Sequence, residues 1–137
     1  MKLLLDTNIC IYLIKRQPPN VLAKFNEYKP GDIGVSSITV AELSYGVSKS
    51  RRQEQNREAL EQFLTPLEVV DFDYPAAVAY GEVRVALESR GTLVGALDTL
   101  IAAHALRCGV ALVTNNVGEF TRVPGLKVVN WVAERES

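Results

Sequence analysis

The sequence predicts an α/β fold, a layered α/β/α sandwich around a mostly parallel central sheet. Three observations carry this. Short apolar runs with no polar alternation, IGVS (33–36) and VALVT (110–114) among them, read as strands buried on both faces. Longer segments with helical spacing separate these runs, which is the pattern of parallel strands joined by crossover helices. The chain has 137 residues, 47% of them hydrophobic, with no internal repeat and no long linker. That size supports one core, so a single domain over 1–137 is expected.

Each element has a local reason. Residues 2–5 (KLLL) read as a short buried strand, and 8–16 (NICIYLIKR) as a helix stopped by Pro18-Pro19. Residues 19–28 give a second helical run, with Val21, Leu22 and Phe25 at helical spacing. Lys29-Pro30-Gly31-Asp32 is a turn before the strand at 33–36. Ser36 or Ser37 caps a helix reaching about Val47. Residues 50–64 form an amphipathic helix, charged at first and packed through Ala59, Leu60, Phe63 and Leu64. A strand follows at 67–70. Pro75 opens a helix over 76–90, and Gly91 closes it. Asp98 to Cys108 is an apolar helix ended by Gly109, followed by the strand at 110–114 and a last strand at 126–131.

Composition excludes several classes. The net charge is -1, which argues against broad nonspecific binding to duplex DNA. RNA stays compatible, because an acidic pocket can carry a local basic rim. The run SKSRRQEQNR, with Lys49, Arg51 and Arg52, is the candidate rim, unless it is an ordinary solvated helix face. Cys10 and Cys108 sit among apolar neighbours and read as small buried hydrophobes, not a disulfide framework. The opening LLL run is too short for a signal peptide, and no stretch could span a membrane, so a cytoplasmic protein is expected. His104 is the only histidine. It lies six positions after Asp98, turned from that face, and reads as a packed or surface residue. A two-histidine acid–base mechanism within one chain is thereby excluded, and a Cys/His zinc site is disfavoured. There is no GxxxxGK[ST] or GxGxxG run.

Polar side chains at the ends of apolar runs, or on apolar faces, carry the chemistry. Asp6 ends the first strand. Glu42 lies inside ITVAELSYG, with Ile38, Ala41 and Tyr45 as face-mates. Asp98 shares its face with Ile101, Ala102 and Ala105. Asn116 and Glu119 follow VALVT. Carboxylates beside a core are costly unless compensated. Several in one small domain, with almost no His or Cys, point to a hard oxygen-loving cation such as Mg²⁺. In open α/β sheets ligands gather beyond the carboxyl ends of the strands, and all of these positions can converge there. The bland alternatives are a helix cap for Asp6, a structural ion pair for Glu42, a favourable dipole contact for Asp98, a turn for Asn116 and a solvated acid for Glu119.

The stretches LLLDTNICIYLIK, SSITVAELSYG, VGALDTLIAAHAL and LVTNNVGEFTRVPGLKVVNW, in that order, resemble the PIN-domain family. Within it they resemble the VapC toxins of bacterial toxin–antitoxin pairs. The resemblance covers nearly the whole chain. It implies a PIN-like α/β/α sandwich and an endoribonuclease dependent on Mg²⁺, with Mn²⁺ as a substitute. It also implies inhibition by a cognate antitoxin, dimerisation of the toxin, and structured RNA, tRNA in particular, as the substrate class. Carried over by position, the first acid falls on Asp6 in the DTN signature, the helix glutamate on Glu42 and the third acid on Asp98. Many PIN domains continue T-x-D-x-x-D-F. Here Thr114 to Phe120 places Asn116 at the first acidic position and Glu119 at the second.

The mechanism expected from this has Asp6, Asp98 and Glu42 as metal ligands, with Glu119 and Asn116 completing the catalytic set. Two rivals remain. A haloacid-dehalogenase-like phosphatase would need DxDxT after the first strand, where this chain has DTN. A degenerate PIN module that binds a partner without catalysis is favoured by Asn116.

Overall fold

The computed structural model describes residues 1–132. The domain expected over 1–137 therefore runs into residues 133–137, which lie outside the described residues. Among the described residues the sheet has five strands, β1 (Leu3–Leu5), β2 (Ile33–Ser36), β3 (Glu68–Val70), β4 (Ala111–Val113) and β5 (Val128–Val129). Their order is β3-β2-β1-β4-β5. Every pairing is parallel, with Leu4 opposite Gly34 on one side and Leu112 on the other. The expected mostly parallel sheet is thus wholly parallel among the described residues.

The helices are α1 (Thr7–Lys15), α2 (Pro19–Phe25), α3 (Ser37–Ser48), α4 (Gln53–Leu64), α5 (Tyr74–Ser89), α6 (Ala96–Cys108) and α7 (Val117–Phe120). The pleat sends alternate strand residues to opposite faces. Leu3, Leu5, Val35 and Val113 pack into a core with Ile9, Leu43 and Leu60 from α1, α3 and α4. Leu4 and Leu112 pack into a second core with Val83, Leu87 and Ile101 from α5 and α6. Both faces being covered explains why the strands read as unbroken apolar runs.

Local chemistry moves some element ends. The amphipathic helix starts at Gln53, not at 50, because Ser50 belongs to the end of α3. Its backbone N–H and its hydroxyl both donate to the Val47 carbonyl, at 3.0 and 2.7 Å. α5 starts at Tyr74, capped by Asp73, whose Oδ1 accepts the Ala76 N–H at 3.0 Å. The last strand shrinks from 126–131 to two residues. Beyond it Asn130 Oδ1 accepts the Val132 N–H at 2.9 Å, and Trp131 turns into the core beside the Tyr28 ring, centroids 5.9 Å apart. Cys10 is fully buried, whereas Cys108 is only half-buried, a departure from the expected pair of buried thiols.

The chain runs outward from β1 through β2 to β3, then returns to the other side of β1 for β4 and β5. The switch point therefore lies between β1 and β4. α6 ends at Gly109, just before β4 begins, so its N-terminus stands at the opposite, carboxyl edge of the sheet.

Candidate active site

Asp6 leaves β1 at that switch point and is 4% exposed. Its backbone N–H donates to the Val113 carbonyl at 3.0 Å, tying it to the end of β4. Its side chain does two jobs. Oδ1 accepts the Ile9 N–H at 3.0 Å and so caps α1. Oδ2 accepts the Thr114 hydroxyl. Burial raises the Asp6 carboxyl above its ordinary range. The bonds from Thr114, Ile9 and Asn8 oppose this, and the charge of Glu42 adds to it. The cap reading and the site reading of Asp6 are therefore both satisfied by one residue.

Glu42 sits on α3, which follows β2. Its Oε1 accepts the Thr7 hydroxyl at 2.5 Å, and Thr7 Oγ1 lies 3.3 Å from Thr39 Oγ1. Thr7 thus links the first turn of α1, directly after Asp6, to the face of α3 that carries Glu42. No lysine or arginine pairs with Glu42 among the described residues, so the ion-pair alternative has no support.

Asp98 and Glu119 meet across the N-termini of α6 and α7. Glu119 Oε2 accepts the Gly95 N–H at 2.9 Å, and Oε1 accepts the Asn116 amide at 2.6 Å. Burial pushes the Glu119 carboxyl up, but these donors, with Asp98 and Arg122, hold it below its usual value. Asp98 moves the other way, to about 7. Burial is the largest cause, followed by the hydrogen bond to Glu119 and by the charges of Glu119, Asp6 and Glu42. One proton is therefore shared by the pair. It resides on Asp98, because both fixed donors point at Glu119 and favour its ionised form.

The structure thus brings all five sequence-derived positions to one edge, where the acids raise or lower one another. Among the described residues, no three acidic, histidine or cysteine side chains already stand at metal-gathering spacing. Hydroxyl and amide donors occupy the carboxylates instead. The donor set still suits a hard cation. It is all oxygen, and burial, with the repulsion of neighbouring acids, keeps a proton on Asp98 that a divalent charge would displace. At the same strand end, the Asn115 side-chain oxygen is buried with no hydrogen-bond partner among the described residues, while its amide donates to the Tyr12 hydroxyl at 3.1 Å.

Sequence reasoning missed the supporting residues Thr7, Gly95, Thr114 and Asn115. All four lie inside the quoted stretches; for Thr7 in DTN and Thr114 in LVTNN, a hydroxyl beside a carboxylate position was the available signal. His104 is buried, as one of its two readings held. Its Nδ1 lies 2.8 Å from Ser36 Oγ, and its ring meets Phe72 edge-on at 5.2 Å.

The chain matches the PIN domain over residues 3–126. It belongs to the PIN-domain family. This PIN domain is 46% identical over 134 residues to ribonuclease VapC2 of Rickettsia felis, covering 93% of this chain and 96% of that protein. It is 43% identical over 131 residues to the tRNA(fMet)-specific endonuclease VapC of Salmonella typhimurium, covering 96% and 98%. Its fold superposes on a chain of the DNA-bound VapBC crystal structure from Salmonella typhimurium with a TM-score of 0.91, at 43% identity, covering 96% of this chain and 98% of that one. Ribonuclease activity and a toxin role accompany PIN domains related this closely over nearly their whole length, and the architecture expected from the sequence is the one found. Among the described residues, no helix is long and apolar enough to cross a membrane.

Proposed function

We propose that this PIN domain is the toxin of a toxin–antitoxin pair and hydrolyses RNA phosphodiesters with Mg²⁺, or Mn²⁺ in its place. The observation that carries the reading is the convergence of Asp6, Glu42, Asp98 and Glu119 at the β1/β4 switch point, where Asp98 is held protonated to about pH 7 by burial and its acidic neighbours. Asp6, Asp98 and Glu42 would hold the cation. Bound there, it would polarise the scissile phosphate, make hydroxide available near neutral pH and stabilise the leaving oxygen.

The chain's own groups supply the rest. Ile9 N–H and Thr114 fix the Asp6 carboxylate in one orientation. Glu42, steadied by Thr7, completes the ligand shell or takes the proton of the attacking water. Glu119 orients water or a second cation, and Asn116 positions Glu119 through its amide. Attack by water leaves a 5′-phosphate and a 3′-hydroxyl, with no call on the ribose 2′-hydroxyl.

The substrate is RNA, and tRNA is the class supported by the name of the Salmonella relative. Lys49, Arg51 and Arg52 form the basic rim. The inhibitory partner is a cognate antitoxin, as in the VapBC complexes that this chain resembles. A homodimer is supported by exposed Tyr74, Val78 and Val85, which share one stripe of α5. The site of action is the cytoplasm.

A partner-binding module without catalysis is the second reading, because an amide stands at Asn116. Incubating the full chain with tRNA in Mg²⁺ or in EDTA separates the two. Cleavage in Mg²⁺ that EDTA and Asp6→Asn abolish supports the nuclease, and no cleavage under any condition supports the binding module.

A further inference from the structure

We propose that Tyr45 is a stacking face for an unpaired base beside the scissile phosphate, and that Lys49 meets the adjoining phosphate. The proposal rests on the ribonuclease reading and extends it to substrate form.

Tyr45 is 66% exposed on α3. It lies three residues after Glu42, so the two side chains share one helix face about one turn apart. Lys49 continues that face by one more turn, and its Nζ stands 4.8 Å from the centre of the Tyr45 ring. A carboxylate of the site, an open aromatic ring and a cation therefore follow one another along a single line. The neighbouring face of α3 is covered, since Arg57 of α4 donates to Ser44 at 3.3 Å and to Ser48 at 3.4 Å. Beyond Lys49 the exposed Arg51 and Arg52 form no ion pair among the described residues.

A single exposed tyrosine needs no explanation. This one is distinguished by its place between a candidate metal ligand and unpaired cations. Nucleic-acid proteins hold splayed bases on aromatic rings and the backbone on flanking cations. Lys49 occupies one face of the ring and leaves the other for a base. A base in a continuous A-form duplex is already stacked and cannot reach such a ring. The cut nucleotide, or its neighbour, must then be unpaired, as in a loop.

The test compares cleavage by the full chain in Mg²⁺ of a single-stranded RNA and of the same RNA annealed to its complement. Wild type is expected to cut the single strand at least tenfold faster. Tyr45→Ala should lower kcat/KM on the single strand about tenfold, the effect of losing one stacked base. Tyr45→Phe should recover most of that loss, because a phenylalanine ring still stacks on a base. Mg²⁺ affinity and oligomeric state should be unchanged in Tyr45→Ala. Equal cleavage by Tyr45→Ala and wild type overturns the proposal. So does dissociation of Tyr45→Ala into smaller oligomers, read from the mass of the particle in solution, which would make Tyr45 a contact between copies. If wild type cuts neither RNA, the ribonuclease reading itself fails, and this proposal with it.

Discussion

Asp98 hydrogen-bonds Glu119, and the proton between them stays on Asp98 up to about pH 7. The folded chain therefore keeps a proton that the unfolded chain releases near pH 4. Stability conferred by that proton is complete at low pH and is lost as pH rises toward and through 7. Asp98→Asn removes this penalty. Its metal-free form should be more stable at pH 7.5 by about 1 kcal/mol after discounting for solvent screening, or roughly 3–5 °C in Tm. The same substitution should abolish cleavage. Calorimetry of the two metal-free proteins reads the first effect. In the wild type, Mg²⁺ must displace the Asp98 proton, so apparent affinity should rise up to about tenfold per pH unit below 7 and flatten above it.

Glu119 and Asn116 should respond differently. Glu119 gathers the Gly95 N–H, the Asn116 amide and the Asp98 proton, whereas Asn116 acts through Glu119. Glu119→Gln should reduce cleavage at least tenfold, and Asn116→Ala considerably less. Asn116→Asp replaces a donor 2.6 Å from Glu119 with a third acid. It should lower metal-free stability and tighten Mg²⁺ binding. Metal titrations of the three variants separate these effects, and equal, near-zero changes in all of them would reduce the working site to Asp6, Glu42 and Asp98.

His104 should make stability fall in mild acid. Its imidazole is buried, and burial lowers its pKa from the ordinary 6.5, opposed by Asp73 and Asp71. The ring Nδ1 is hydrogen-bonded to the Ser36 hydroxyl, whose oxygen in turn accepts the Ile38 N–H at 3.0 Å and caps α3. The unfolded chain takes up a proton first as pH falls. The contribution is thus full above about pH 6.5 and is lost as pH falls toward and through the folded value. Urea midpoints of wild type and His104→Asn between pH 7.5 and 5 should converge as pH drops. Parallel curves would assign the acid sensitivity to other groups.

Much of this was legible in the residues. Unbroken apolar strands between helices announced a parallel sheet covered on both faces, and Asp6, at the end of one such strand, had to stand at the sheet's carboxyl edge. What stayed hidden was set by contacts remote in sequence. Nothing local pairs Thr114 with Asp6, 108 residues apart, or Gly95 with Glu119. The proton on Asp98 depends on three other acids and on burial, none of which periodicity reveals. The end of the last strand is hidden for a similar reason. Val128, Val129 and Trp131 look like one strand interrupted only by Asn130, but Trp131 packs with distant Tyr28, and its carbonyl accepts the Asn20 amide at 3.0 Å.

The central claim is that these acids cut RNA by metal-assisted attack of water. The most direct measurement is the chemistry of the RNA ends formed when the purified full chain is incubated with tRNA and Mg²⁺. The account predicts 5′-phosphate and 3′-hydroxyl ends at discrete sites, absent with EDTA and with Asp6→Asn. Ends carrying a 2′,3′-cyclic phosphate, or undiminished cleavage by Asp6→Asn, would contradict it.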